Sequence, residues 1–153
     1  MSSSDILKLR HYCAYQERCH MEVREKCREL KLYGEEAEEA IAHLVTEGFL
    51  NEERYAKAFA GGKFRMQQWG RKKIRQALKQ KQISDYCIRK GLAEIDPAAY
   101  EQALLSLAER KYQSLRGEQY LKRQYKTLQY LLQKGFEQEL VREAIEQIAK
   151  KED

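Results

Sequence analysis

By residue type, the first candidates for chemistry are His11, Cys13, Cys19 and His20, which lie close together near the start of the chain. A zinc site needs four converging ligands, usually with a CxxC-like pair among them. No two of Cys13, Cys19, Cys27 and Cys87 are so spaced. Cys13 and Cys27 fall on apolar stripes, which reads as buried, inert thiols, reduced in a cytoplasm. Cys19 and His20 are adjacent, and adjacent helical residues do not face each other, so they make a poor nucleophile–base pair. The sequence has no Gly-rich phosphate loop and no GxSxG elbow. No catalytic group, metal or cofactor is therefore expected.

The informative side chains are basic. Between Arg54 and Ser84 stand Arg54, Lys57, Lys63, Arg65, Arg71, Lys72, Lys73, Arg75, Lys79 and Lys81, with no acidic residue among them. The net charge of +5 averages −3 over residues 1–50, +7 over 51–96 and +1 over 97–153. On a helix advancing about 100° per residue, Ile74, Ala77, Leu78 and Lys81 mark the apolar edge. Lys72, Arg75 and Lys79 then share the opposite face, while Arg71 and Lys73 flank the edge. Trp69 and Gly70 precede this helix, with Arg65 upstream. An ordinary solvated face would mix signs; this one suits a polyanion or an acidic groove. Lys122, Arg123 and Lys126 form a second, weaker basic patch.

The composition says which elements carry these groups. Ala, Leu, Glu, Lys, Arg and Gln supply 95 of the 153 residues, whereas Val, Ile and Thr supply 13. The strong helix formers dominate and the strand formers are scarce, so the chain is expected to be all-α. It has 1 proline, where about eight would be usual. Only 32 residues are Leu, Ile, Val or Phe, which favours several small units over one large core. No apolar run is long enough to span a membrane, and the charged MSSSDILKLRHY start does not read as a signal peptide.

A repeat lies in the apolar positions. Val23, Cys27, Leu32, Ala37, Ile41 and Leu44 are spaced 4, 5, 5, 4 and 3. Ile74, Leu78, Ile83, Ile88, Leu92 and Ile95 repeat that spacing 51 residues later, and Thr127, Leu131, Phe136, Val141, Ile145 and Ile148 a further 53 on. Two residues four apart mark one helix face, the third plugs a corner, and the last three mark a second helix. At the corner of the last repeat, Gly135 can take the left-handed conformation that ends a helix; Lys31 and Gln82 hold that place elsewhere. A further helix precedes each pair. It carries Ile6, Leu9 and Cys13 in the first unit, and Tyr55 and Phe59 in the second. In the third it opens at Pro97 and carries Leu104, Leu107, Ala108, Tyr112 and Leu115. The expected spans are 4–17, 20–31, 35–47, 52–66, 70–81, 85–95, 97–115, 118–133 and 138–150, with the Gly61-Gly62 pair as a weak spot. They group into three tandem, helix-turn-helix-like three-helix repeats at 1–48, 49–96 and 97–153, expected to form an elongated, curved arrangement.

Three stretches resemble motifs of the RecX family. Gly48-Phe49-Leu50-Asn51-Glu52-Glu53-Arg54-Tyr55-Ala56 resembles its G-[FY]-[IL]-[ND]-[DE]-x-[RK]-[FY]-A signature. Trp69-Gly70 followed by Lys73-Ile74-Arg75, Leu78, Lys81 and Ile83 is a second match. Arg18-Cys19-His20-Met21-Glu22-Val23 is a third, resembling R-S-x-x-E-[LV]. Cys19 replaces a serine that would cap a helix, and Gln82 a frequent glycine. The resemblance covers the chain from about Leu9 to Ile148 and is strongest in the middle unit.

The resemblance implies a non-enzymatic regulator of the RecA recombinase. Such proteins bind in the groove of the RecA filament on DNA, suppress strand exchange and coprotease activity, and block filament growth or favour disassembly. On that footing Arg65, Trp69, Arg71, Lys72, Arg75 and Lys79 are expected to contact the filament or its DNA, with Lys122, Arg123 and Lys126 second. The expected partners are RecA and DNA, and the expected state is a cytoplasmic monomer that binds no membrane. The alternatives are a direct DNA-binding protein with helix-turn-helix-like units, or a purely structural helical scaffold.

Overall fold

The computed structural model describes residues 1–152, which form nine α-helices and no strand. They are α1 (Ser3–Tyr15), α2 (His20–Glu29), α3 (Glu35–Thr46), α4 (Glu52–Gln67), α5 (Arg71–Gln80), α6 (Asp85–Leu92), α7 (Pro97–Ser114), α8 (Tyr120–Gln133) and α9 (Gln138–Glu152). No helix among the described residues is long and apolar enough to cross a membrane.

The helix starts follow from local chemistry. Ser2 and Asp5 cap α1 reciprocally: Ser2 Oγ accepts from the Asp5 N–H at 3.1 Å and Asp5 Oδ2 from the Ser2 N–H at 3.2 Å. Asp96 caps α7 through the Ala99 N–H at 2.9 Å, with Pro97 in the first turn. That proline also bars the preceding helix from running on through Asp96. A residue before proline is pushed out of the helical region, and Asp96 sits at ψ 125°. The expected 85–95 helix stops at Leu92, and Ile95 is buried from a turn in which its N–H reaches Leu92 O at 3.1 Å. Helix α4 runs on through Gly61 and Gly62.

All the positions of the six-residue repeat are buried, from Val23 to Ile148. The corners are built alike. Lys31, Gln82 and Gly135 take φ of 62°, 61° and 98°. The next N–H then reaches back across the corner: Leu32 to Cys27 O at 2.8 Å, Ile83 to Leu78 O at 3.1 Å and Phe136 to Leu131 O at 3.2 Å. This closure folds the corner side chain onto the core. Two of the three left-handed residues are not glycine, so the corner bond and the buried plug, rather than glycine, define the turn.

The described residues form two compact units. The first comprises Met1–Phe59 and Leu78–Gly91; the second comprises Ala60–Ala77 and the chain from Leu92 onward. Helices α4 and α5 each contribute residues to both. In the first unit, Leu9, Cys13, Val23, Cys27, Ile41 and Leu44 lie in one continuous core. Gly91 lies so close to α4 that a Cβ there would come within 2.6 Å of Ala56 O. In the second unit α7, α8 and α9 pack pairwise, and Tyr100, Tyr112 and Phe136 are its largest buried side chains.

The thiols follow the same logic. Cys13, Cys19 and Cys27 are buried. Burial pushes the Cys13 thiol up to about 11 and raises Cys19 and Cys27 as well. No group of potential metal ligands converges among the described residues.

Candidate nucleic-acid interface

Helix α5 carries the basic face, and its first turn is held by the second unit. Gly70 N–H donates to Lys134 O at 2.8 Å and Lys72 N–H to Gly135 O at 2.9 Å. Arg71 N–H donates to the Tyr100 hydroxyl at 3.0 Å. These bonds satisfy amides that a helix start leaves without intrahelical partners. Gly70 has to be glycine here, because a Cβ would collide with the Gly135 carbonyl and the Phe136 nitrogen.

The Arg71 side chain belongs to this anchor. Its guanidinium lies 3.8 Å from the Tyr100 ring centroid and donates to Glu137 Oε2 at 2.7 Å. The Tyr100 hydroxyl donates to the other Glu137 oxygen. Burial opposes ionisation of Glu137, yet the hydrogen bonds from Tyr100 and Arg71 outweigh it and hold the carboxyl below its usual range. Burial and that same carboxylate push the Tyr100 hydroxyl up.

Beyond the anchor the basic face is open. Ile74 and Leu78 are fully buried, while Lys72, Arg75 and Lys79 are exposed. Among the described residues, no carboxylate pairs with any of the three. Arg65 is exposed on α4 and turns along its own helix towards Gly61. Trp69 is half-buried, with the ammonium groups of Lys63 and Lys73 at 4.8 and 4.6 Å from its ring centroid.

The second patch is largely engaged within the chain. Arg123 stacks 3.6 Å from the Tyr112 ring centroid, and its Nε donates to Tyr112 O at 2.8 Å. It also pairs with Glu152 at 2.9 Å. Lys126 pairs with Glu118 at 2.6 Å. Only Lys122 of this patch is exposed and unpaired among the described residues. The first unit uses the same device: Arg18 stacks 3.8 Å from the Tyr12 ring and its Nε donates to Tyr12 O at 2.9 Å. In both cases an arginine downstream of a tyrosine-bearing helix covers the tyrosine ring and bonds its carbonyl.

Sequence reasoning missed a group around Trp69. Besides Lys63 and Lys73, Lys134 donates to Gln67 O at 3.0 Å. Burial lowers the Lys134 ammonium below the usual lysine range, helped by the nearby charges of Lys73 and Arg110. The available signal was the repeat itself, which places Lys73 and Lys134 at equivalents of an opposite-charge pair.

A model described as the second three-helix domain of RecX matches residues 51–92, and one described as its third three-helix domain matches residues 99–145. The chain belongs to the RecX family. A regulatory protein RecX from Prosthecochloris aestuarii is 28% identical over 152 residues, covering 97% of this chain and 98% of that protein. One from Streptococcus uberis is 31% identical over 134 residues, covering 86% of this chain but 50% of its own length. The chain spans about half to two thirds of several such RecX relatives. The crystal structure of RecX from Lactobacillus salivarius superposes with a TM-score of 0.84 at 26% identity, covering 97% of this chain and 99% of that one. Both matches are to three-helix domains, in keeping with the all-α, repeated fold.

Proposed function

We propose that this RecX-family chain regulates the RecA recombinase, binding RecA filaments on DNA and restraining strand exchange without chemistry of its own. The observation that carries this reading is the α5 face: in a chain of this family, Lys72, Arg75 and Lys79 stand exposed with no carboxylate paired to them among the described residues. A surface so charged favours a partner that presents phosphates or carboxylates. Arg71 positions the helix that carries the contact residues, and Lys122 is the third repeat's contribution. The protein acts in the cytoplasm as a monomer, with 1–48, 49–96 and 97–153 as its repeats.

The test is RecA-catalysed strand exchange with the protein added at stoichiometric or lower amounts. Inhibition is expected; its absence overturns the functional reading. A Lys72→Glu/Arg75→Glu/Lys79→Glu variant should fold normally and lose inhibition. A variant that inhibits like the parent would overturn the site while leaving the function. Sequence-selective binding to duplex without any effect on RecA would instead favour a direct DNA-binding protein.

A further inference from the structure

The repeat supplies an internal comparison at two positions. In the first unit Glu22 of α2 pairs with Lys81, at the end of α5, at 3.9 Å. Position 22 corresponds to 73 through the 51-residue offset, and position 81 to 134 through the 53-residue offset. In the second unit this pair of places holds Lys73 and Lys134. An acid and a base have become two bases, and the backbone next to Lys134 lies against Lys73, where a Cβ on Gly135 would stand 2.4 Å from the Lys73 Cβ.

The surroundings add more cations. Lys63 Nζ and Lys73 Nζ lie 4.8 and 4.6 Å from the Trp69 ring centroid. Arg110 and Lys111 of α7 line an open cavity of about 270 Å³ with Gln68 and Tyr130. Lys134 reaches the carbonyl of Gln67, the neighbour of Gln68. Lys73, Arg110, Lys111 and Lys134 have no carboxylate paired with them among the described residues. Converging like charges oppose folding, and where the equivalent site in the same chain is neutralised, packing does not require them.

The geometry points to a phosphate-binding site formed by Lys73, Lys134 and Arg110 beside Trp69, within the second unit and on a different side of α5 from Lys72, Arg75 and Lys79. It deepens the proposed function by naming where this chain itself would hold phosphate, whether of a nucleic-acid strand or of a free nucleotide. Flexible lysines and an arginine fork suit phosphate oxygens, and the indole under Lys63 and Lys73 senses any ligand that draws those ammonium groups away.

Trp69 is the chain's 1 tryptophan, so its fluorescence reports on this site directly. The measurement titrates the full chain, without RecA, with short oligo(dT), with ATP and with oligoglutamate. A saturable change in emission with oligo(dT), weakening steeply as salt rises, is expected. Saturation by ATP at similar concentrations would identify the free nucleotide as the source; saturation by oligo(dT) alone would identify the strand. Lys73→Glu recreates the acid–base pair of the first unit. It should therefore fold at least as stably as the parent while binding oligo(dT) at least about tenfold more weakly. Lys134→Gln should weaken binding in the same direction. No emission change with either phosphate ligand, undiminished binding by both variants, or equal binding of oligoglutamate would each overturn the site. None of these outcomes depends on RecA, so they leave the strand-exchange result to stand or fall separately.

Discussion

The guanidinium of Arg71 lies over Tyr100, 3.8 Å from its ring centroid, while Glu137, in the corner before α9, holds it at 2.7 Å. These contacts fix where α5 begins, and hence where its exposed basic face is presented. Glu137→Gln keeps the shape but removes the charge that accepts from both Tyr100 and Arg71. It should cost about 1–3 kcal/mol at neutral pH, read from urea unfolding. The acid limb tests the same network. The folded-state pKa of Glu137 is depressed, so its contribution is present above the unfolded value near 4.3 and is lost as pH falls through the folded value. The parent should therefore lose stability on acidification through that window more steeply than Glu137→Gln. Parallel acid limbs would rule this network out as a source of the loss.

The corners predict opposite responses to removing and introducing glycine. Gly135 combines φ 98° with close approach to α5, where a Cβ would stand 2.6 Å from the Lys73 nitrogen. Gly135→Ala should cost at least about 2 kcal/mol. Gln82 has φ 61° and is exposed, so Gln82→Gly should relieve left-handed strain of about 1–2 kcal/mol. The extra chain entropy of glycine offsets about 0.5–1 kcal/mol of that. Unfolding midpoints should fall sharply for the first variant and hold or rise slightly for the second.

Much of this architecture was legible because it is local and repeated. Spacing of apolar residues fixes helix faces, and Val23, Ile74 and Thr127 reach the same buried place in successive repeats. The basic face of α5 was legible as well, because a helix without acids must put Lys72, Arg75 and Lys79 somewhere. The fates of Arg71 and Arg123 were not. Arg71 is bound by groups 29 and 66 residues away, and Arg123 by Tyr112 and by Glu152 29 residues on. Charge counting along the chain cannot see an aromatic ring that arrives through folding. Lys73 and Lys134 show the converse: their significance was in the sequence, but only once the repeat offsets were applied to charged positions as well as apolar ones.

Thr127 tests how far the repeat, rather than the individual residue, governs the core. It is fully buried where the other repeats carry Val23 and Ile74, and its hydroxyl donates to Arg123 O, one turn back, at 2.8 Å. That carbonyl lies in the helical ladder and does not depend on the hydroxyl. Thr127→Val should therefore change stability by less than about 1 kcal/mol, with a gain the more natural direction. Leu131→Ala, one turn further along α8, empties a fully buried site and should cost about 2–5 kcal/mol. A large loss on Thr127→Val would mean that the hydroxyl, and not the repeat's apolar register, orders this helix pair.

Salt separates the two surfaces that α5 could meet in a filament. Phosphate contacts release counterions, so each one steepens the fall of affinity with salt, by about 0.7–0.9 in the log–log slope. Contacts to protein carboxylates do not carry that dependence to the same degree, because no condensed ion atmosphere is displaced. In co-sedimentation with RecA–DNA filaments, a Lys72→Gln/Arg75→Gln/Lys79→Gln variant should bind more weakly than the parent. If the face lies on DNA, the slope should also become shallower by about two to three. Weaker binding with an unchanged slope would place the face on RecA itself. Unchanged binding at every salt concentration would remove α5's outer face from the interface, leaving the Trp69 cluster and Lys122 as the basic groups still to be tried.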